Sequence, residues 1–270
     1  MNIVIKRSGL AVVLSLVTVA ALLIMPFYSY ASSTVYVTGN TSAGENQPGW
    51  LFNRDLNSAT PYSFTTSKAL IGSGSLYVLP IGSNPSDKFI AELFSNVAIA
   101  DVDSFSYDFL IGAGSNAADA NEFYLNVYAN FGISDDNKFY DCRYDVVATS
   151  GSTGSWTTVT FDPEQTYSVA TRSSSPYPCP ASPAGMNISS PGSTIRVFAI
   201  NVGDTSASDV GLSGYLDNVV TSFTSGITTY DFEQAPPKTK GQCSDGGWAD
   251  YGFKNQGQCV RLIETGKDSR

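Results

Sequence analysis

The sequence contains no histidine. This absence removes the side chain that most often serves as a general base and as a metal ligand, and with it the Ser-His-Asp and Cys-His arrangements of hydrolases. The sequence has only four cysteines, and if all four are oxidised then zinc-thiolate sites and thiol nucleophiles are excluded as well. A hydrolase built only from paired carboxylates across a cleft stays possible.

Basic residues are also scarce. Lysine and arginine together number 15 against 24 aspartates and glutamates, which gives a net charge of −9. An acidic surface repels phosphate backbones, and no stripe of basic residues interrupts it, so nucleic acid is excluded as a partner. The excess of acid fits either solubility outside the cell or calcium binding by some of the carboxylates.

Only one apolar run approaches the length needed to cross a membrane. It extends from Leu10 to Phe27, follows Lys6 and Arg7, and is followed by the small-residue pattern Ser-Tyr-Ala that ends at Ala31. This order is typical of a secretory signal, so residues 1–31 are predicted to be a signal peptide that is cleaved after Ala31. The alternative is an uncleaved N-terminal anchor. Both alternatives place the remainder of the chain outside the cytoplasmic membrane, and we expect a secreted, extracellular protein.

Beyond Ala31 the sequence lacks long helical periodicity. It has instead about ten short runs of period two, rich in Val, Tyr, Phe and Thr and separated by clusters of Gly, Ser, Asn, Asp and Pro. This pattern predicts an all-β protein whose antiparallel strands form a two-sheet jelly-roll sandwich over residues 32–233. Residues 162–193 read as a long irregular excursion, 234–241 as a stiff linker, and 242–263 as a small disulfide-closed C-terminal appendage.

The four cysteines allow three pairings. Cys243 and Cys259 share the short tail, whereas Cys142 and Cys179 both lie within the main domain. The local pairing, Cys142 with Cys179 and Cys243 with Cys259, is the one we favour. A tail too small to bury a core depends on such a crosslink.

Two alternatives are open for the aromatic residues of the tail. Trp248, Tyr251 and Phe253 form either a ligand surface or a miniature core against the disulfide. The Gly-Gly at 246–247 and the Asn-Gln-Gly at 255–257 are expected to form backbone turns.

Several segments carry a resemblance to known modules. "GSGSLYVLPIG", "DVDSFSYDFLIG" and "GLSGYLDNVVT" followed by "TTYDFE" resemble secreted jelly-roll modules of the concanavalin A-like and carbohydrate-binding type. The tail "GQCSDGGWADYGFKNQGQCV" is similar to a short module that ends many uncharacterised secreted bacterial proteins. The resemblance implies an extracellular module that binds glycan and holds a structural calcium through Asp217. The chain departs from the catalytic sandwich glycosidases because it has no Glu-x-Asp-x-x-Glu pattern.

The strongest candidate for a binding surface is the run "FYLNVYANF". Period two places its small and apolar residues on one face of a strand and an alternation of tyrosine and asparagine on the other. A flat ring covers the apolar face of a pyranose while an amide supplies a donor and an acceptor, so this face is suited to sugar. The predicted ligand-binding residues are Tyr124, Asn126, Tyr128 and Asn130. The alternative is that these tyrosines only pack against neighbouring strands or loops.

Two acidic loops offer the hard oxygen ligands that calcium requires. One contributes Asp135 and Asp136, the other Asp204 and Asp209, and the resemblance adds Asp217. Neither loop has the spacing of a helix-loop-helix calcium site. The alternative is ordinary turn chemistry, in which Asp and Asn bond their own backbone.

These observations favour an extracellular, non-catalytic, lectin-like module that binds carbohydrate. A structural or adhesive cell-surface protein is the first alternative, and a carboxylate-dependent glycan hydrolase or lyase is the second. The expected partners are a glycan or another cell-surface component, with the membrane contacted only through an uncleaved N-terminal segment.

Overall fold

The computed structural model describes residues 31–42, 47–53, 59–84, 87–115, 117–132, 139–148, 150–151, 153–204, 209–233 and 235–267, without the side chains of 117–119. Apart from Ala31, the predicted signal peptide therefore lies outside the described residues. Residues 32–270 group into one compact unit. Within the described ranges, no helix is both long enough and apolar enough to cross a membrane.

Strands dominate the chain. They are β1 (Ser32–Val37), β2 (Gly49–Phe52), β3 (Tyr62–Thr65), β4 (Ser75–Val78), β5 (Phe89–Ala98), β6 (Val102–Ile111), β7 (Phe123–Asn130), β8 (Cys142–Val146), β9 (Thr157–Phe161), β10 (Ser168–Thr171), β11 (Thr194–Val202), β12 (Gly214–Phe223) and β13 (Gly226–Phe232). Among the described residues, the helices are α1 (Ala184–Ser189), α2 (Gly247–Asp250) and α3 (Gln256–Thr265), with 3₁₀ helices at Ile99–Asp101, Ala117–Glu122 and Lys240–Cys243.

The strands form two sheets, which confirms the predicted two-sheet sandwich. A seven-stranded sheet has the order β1-β13-β12-β4-β3, with β6 pairing to β12 and β9 to β6. A six-stranded sheet has the order β10-β8-β7-β11-β5-β2. All of these strand pairs are antiparallel except β1 with β13.

Aromatic rings fill the space between the sheets. Phe105 of the seven-stranded sheet stacks on Phe198 of the six-stranded sheet, with 4.4 Å between ring centroids. Phe109 and Phe123 make a second pair of this kind at 4.7 Å. All four side chains are fully buried, and each contributes about 1.5–3 kcal/mol through removal of apolar surface from water. The aromatic residues that enrich the strands therefore serve to pack the two sheets against each other.

Strand β7 lies inside the six-stranded sheet, between β8 and β11. Its alternate side chains are all fully buried in the core: Phe123, Leu125, Val127 and Ala129. Because successive residues of a strand point to opposite faces, the tyrosines and asparagines between them lie on the outer face of the sheet. Part of this outer face is itself covered, because Tyr128 packs against the buried side chains of Phe94, Val197 and Ala199.

The segment predicted to be irregular contains two short elements, β10 and α1. Strand β10 pairs with β8, and a disulfide joins Cys142, at the start of β8, to Cys179. Thr171, the last residue of β10, accepts a hydrogen bond from the backbone of Cys179. The excursion thus returns to β8 and extends the six-stranded sheet by one strand.

The tail is more helical than its turn residues predicted. The Cys243–Cys259 disulfide is formed as expected, and both sulfurs pack with Phe253 in a small core of their own. Trp248 and Tyr251 pack on that core in a partly buried state, which confirms the core interpretation of these aromatics.

The tail also contacts the sandwich. The hydroxyl of Thr66 donates to the backbone carbonyl of Asp250 at 3.3 Å. Gly252 lies so close to Ser73 that a side-chain carbon added at the glycine would come within 2.8 Å of the serine. The tail therefore packs against the loop that precedes β4.

Candidate functional site

A groove of about 630 Å³ lies on the outer face of the six-stranded sheet. Strands β7 and β8 form its floor. Its lining residues combine aromatic, amide and charged side chains: Lys88, Asn121, Glu122, Tyr124, Asn126, Tyr128, Arg143, Asp145, Val147 and Asp204. Three of the four predicted ligand-binding residues, Tyr124, Asn126 and Tyr128, thus line one groove.

The two tyrosines of the groove differ in their surroundings. Both are partly exposed. Tyr128 packs against Phe139 and Tyr140, with ring centroids 4.9 and 5.1 Å away. Among the described residues, no ring contacts that of Tyr124. Packing by a neighbouring segment, the alternative considered from the sequence, therefore accounts for part of the burial of Tyr128.

Hydrogen bonds between side chains cross the floor of the groove. The Asn126 amide donates to Asp145 Oδ1 at 2.7 Å. Arg143 donates to the same carboxylate twice, from Nε at 2.9 Å and from Nη2 at 3.2 Å. The register places Asp145 opposite Asn126 and Arg143 opposite Tyr128, so the strand pairing itself brings these groups together.

Burial shifts the pKa values of the two tyrosines and of Lys88. It raises the pKa of Tyr128 to about 12 and the pKa of Tyr124 further still, so both phenols keep their protons at neutral pH. Burial also lowers the pKa of Lys88, and the charge of Arg143 acts in the same direction. Although burial opposes the charge of Arg143, its bond to Asp145 leaves the pKa of Arg143 above the ordinary value. The groove therefore offers hydroxyl and guanidinium donors together with carboxylate acceptors.

Asn130 occupies the predicted face but does not line the groove. Its Oδ1 accepts the backbone N–H of Asp141 at 3.1 Å, and Asp141 Oδ2 accepts the backbone N–H of Phe131 at 3.0 Å. These two bonds close the connection between β7 and β8. In this structure the Asn130 side chain shapes the end of the hairpin.

Two of the predicted calcium ligands lie together at one end of the groove. Asp204 and Asp209 lie close to a third acidic residue, Glu122. One carboxylate oxygen from each of the three residues lies within 4.8 Å of the others. Asp209 is buried and accepts the backbone N–H of Asp204 at 2.7 Å. The donor set consists of hard oxygens, which suits calcium. Calcium binding at these residues stays a prediction.

Asp217 lies in a different place, on β12 of the seven-stranded sheet. Its Oδ2 accepts the backbone N–H groups of Leu70 and Ile71 at 2.8 and 3.1 Å, and its Oδ1 accepts that of Asn218 at 2.7 Å. In this arrangement the carboxylate holds the loop before β4. The remaining predicted ligands, Asp135 and Asp136, lie outside the described residues.

Six lining residues escaped the analysis of the sequence: Lys88, Asn121, Glu122, Arg143, Asp145 and Val147. Arg143 and Asp145 alternate on β8 in the run "CRYDV", and this period-two spacing was a usable signal once β8 was known to neighbour β7. Lys88 and Glu122 stand just outside the ends of strands, where no pattern marks their proximity.

Solved structures with a related arrangement include carbohydrate-binding modules. The family 11 module of the cellulosomal cellulase Lic26A-Cel5E of Clostridium thermocellum has 11% identity and a TM-score of 0.40 over 69% of this chain and 96% of that chain. A family 30 module has 11% identity and a TM-score of 0.34, over 79% and 92%. A domain of tailspike protein 4 of bacteriophage CBA120 has 11% identity and a TM-score of 0.36, over 64% and 19%.

No family model matches the chain, and no curated protein matches it in sequence. At such identities and TM-scores the structural matches assign neither a family nor a ligand to this chain. Its function has to be argued from its own groove.

Proposed function

We propose that the protein is an extracellular, non-catalytic module that holds a glycan chain in the groove on the outer face of the six-stranded sheet. The observation that carries this proposal is the placement of Tyr124 and Tyr128 at two points of one groove with Asn126 between them. The two tyrosines are four positions apart on the strand, which places them about 14 Å from each other, a distance longer than a single sugar ring.

The chemistry of the groove supports a sugar ligand over an apolar one. A pyranose has an apolar C–H face that a tyrosine ring can cover, and hydroxyls that both donate and accept hydrogen bonds. Asn126, Arg143 and Asp145 supply both kinds of partner between the rings. The two disulfides fit a protein that works outside the cytosol.

The proposal is tested by retention of the purified protein on immobilised and soluble polysaccharides, measured by affinity electrophoresis. A suitable panel is hydroxyethylcellulose, mixed-linkage β-glucan, xylan, galactomannan and polygalacturonate. We expect Tyr124→Ala to weaken retention by about tenfold, because loss of a stacked ring costs on the order of 1.4 kcal/mol. Tyr124→Phe keeps the ring and should retain most of the affinity.

A matched control is available on the other sheet. Tyr77 and Tyr215 stack on each other at 4.7 Å, and both are partly exposed. Tyr77→Ala should leave retention unchanged. Equal losses in Tyr77→Ala and Tyr124→Ala, or no retention of the unmodified protein on any member of the panel, would overturn the proposed groove.

Incubation of the protein with the same polysaccharides distinguishes binding from catalysis. The groove contains carboxylates, and a hydrolase needs one of them to act as an acid with a raised pKa. Asp145 already accepts three hydrogen bonds, from Arg143 and Asn126, so both of its oxygens are engaged within the protein. We expect no release of reducing ends or unsaturated products, and release would favour the hydrolase or lyase alternative.

A further inference from the structure

A buried asparagine that does not line the groove is connected to it by hydrogen bonds. Asn201 of β11 is 1% exposed. Its Nδ2 donates to Asn126 Oδ1 at 3.1 Å and to the backbone carbonyl of Ala199 at 2.8 Å. Since Asn126 donates to Asp145 and Asp145 accepts from Arg143, one chain of side-chain hydrogen bonds crosses β11, β7 and β8.

The chemistry at both ends fixes the direction of this chain. The Asp145 carboxylate, which already accepts from Arg143, can only accept, so Asn126 must present its Nδ2 to it. The Oδ1 of Asn126 then faces Asn201. The carbonyl of Ala199 also only accepts, so Asn201 must present its Nδ2 there and, with the second N–H, to Asn126. A flipped Asn126 amide would oppose two oxygens on one side and two N–H groups on the other.

We propose that Asn201 is a positioning residue of the groove and determines which hydrogen-bonding groups a glycan meets there. By holding the Asn126 amide in one orientation, it leaves the second N–H of Asn126 and the unused N–H groups of Arg143 as a fixed set of donors for sugar oxygens. This inference rests on the proposed function, because it assigns a role in the same site. Asn201 itself touches no ligand.

The expected benefit is preorganisation. Asn126 is 5% exposed, so without Asn201 its Oδ1 would lose a partner in a place where water reaches poorly, and the amide would reorient. A ligand would then have to order the Asn126 and Arg143 side chains as it binds, and that ordering reduces affinity.

A double-mutant cycle in binding tests the inference. Asn201→Leu removes the donor at similar volume, and Asn126→Ala removes the group through which it is inferred to act. The probes are the same soluble polysaccharides, measured by affinity electrophoresis. We expect Asn201→Leu to weaken binding about two- to tenfold in the unmodified protein, and to have less than about a twofold effect in the Asn126→Ala background.

The control is a strand residue of the other sheet that also bonds a backbone carbonyl. Thr221 is 1% exposed and its hydroxyl donates to the carbonyl of Thr228. Thr221→Val should lower stability without changing glycan affinity. If it weakens binding as much as Asn201→Leu, or if Asn201→Leu has the same effect in both backgrounds, Asn201 is only a structural residue and the inference is overturned.

A second readout needs no glycan. In the free protein, Asn201→Leu should shift the side-chain NMR signals of the Asn126 amide and the Arg143 Nε–H, whereas Thr221→Val should not. Unchanged signals would overturn the inference even if glycans bind. If the unmodified protein retains no polysaccharide, the proposed function fails and the glycan role of Asn201 fails with it, while these signals still decide whether Asn201 orients Asn126.

Discussion

Asp217 is a buried carboxylate whose charge should make folding depend on pH. Its side chain is 0% exposed. Burial raises the pKa of Asp217 from 3.8 to about 6, although hydrogen bonds from the backbone N–H groups of Leu70, Ile71 and Asn218 act in the opposite direction. Between these two pKa values, Asp217 therefore keeps its proton in the folded protein after the unfolded chain has released it.

The sign of the effect follows from this difference. Between about pH 4 and pH 6 the folded state binds more protons than the unfolded state, so the free energy of unfolding falls as the pH rises through this window. The difference in pKa corresponds to about 3 kcal/mol, fully expressed near pH 7. Asp217→Asn cannot titrate. The stability of the unmodified protein relative to this variant should thus decrease by about 3 kcal/mol from pH 3 to pH 7.

The assay is urea unfolding followed by tryptophan fluorescence at one-unit intervals from pH 3 to pH 7. Asp103→Asn, at an exposed position, controls for the loss of one surface charge. A difference between the unmodified protein and Asp217→Asn that stays constant with pH, or increases toward neutral pH, would refute the reasoning. The series is repeated with calcium and with chelator, because calcium bound at Asp217 would keep the carboxylate ionised and abolish the decrease.

Two further predictions concern a glycine and the acidic cluster. Gly72 has φ +60, and an added side-chain carbon would come within 2.2 Å of Glu233 and 2.3 Å of Asp231. Gly72→Ala should therefore lower the free energy of unfolding by about 3 kcal/mol. The control is Gly211, which has φ +88 but open space around it, so Gly211→Ala should cost only about 1 kcal/mol. Equal losses of the two variants in chemical unfolding would contradict this prediction. Calcium at about 100 times its dissociation constant should stabilise the protein by about 2.7 kcal/mol and so raise its melting temperature. Asp209→Asn should remove this rise. If calcium does not raise the melting temperature of the unmodified protein, no calcium site exists at Glu122, Asp204 and Asp209.

The face of β7 could be predicted because a single strand defines it. Alternation of apolar and polar residues requires only local sequence, and it placed Tyr124, Asn126 and Tyr128 on the face opposite the core between the two sheets. Asn130 follows the same alternation but bonds to Asp141, which reaches it only because the chain turns back as β8. Period two predicts which face of the strand a residue occupies, but it does not predict which residues of other segments contact that side chain.

The rest of the site depends on strand order and register. Lys88 and Asn201 come from segments far from β7 in sequence, and no local pattern places them beside it. The helix α3 was missed because the Asn-Gln-Gly at its start was interpreted as a turn, yet one local signal was present. Asn255 and Gln258 have the spacing of a helix start, and the Asn255 side chain accepts the backbone N–H of Gln258 at 3.0 Å.

The crosslink between Cys142 and Cys179 also bears on the outer edge of β8. Cys142 directly precedes Arg143, and the strand beyond it, β10, is only four residues long. Strand β10 covers the outer edge of β8, and an uncovered edge would be open to pairing with other chains. By tethering the segment after β10 to the start of β8, the crosslink helps to keep that edge closed.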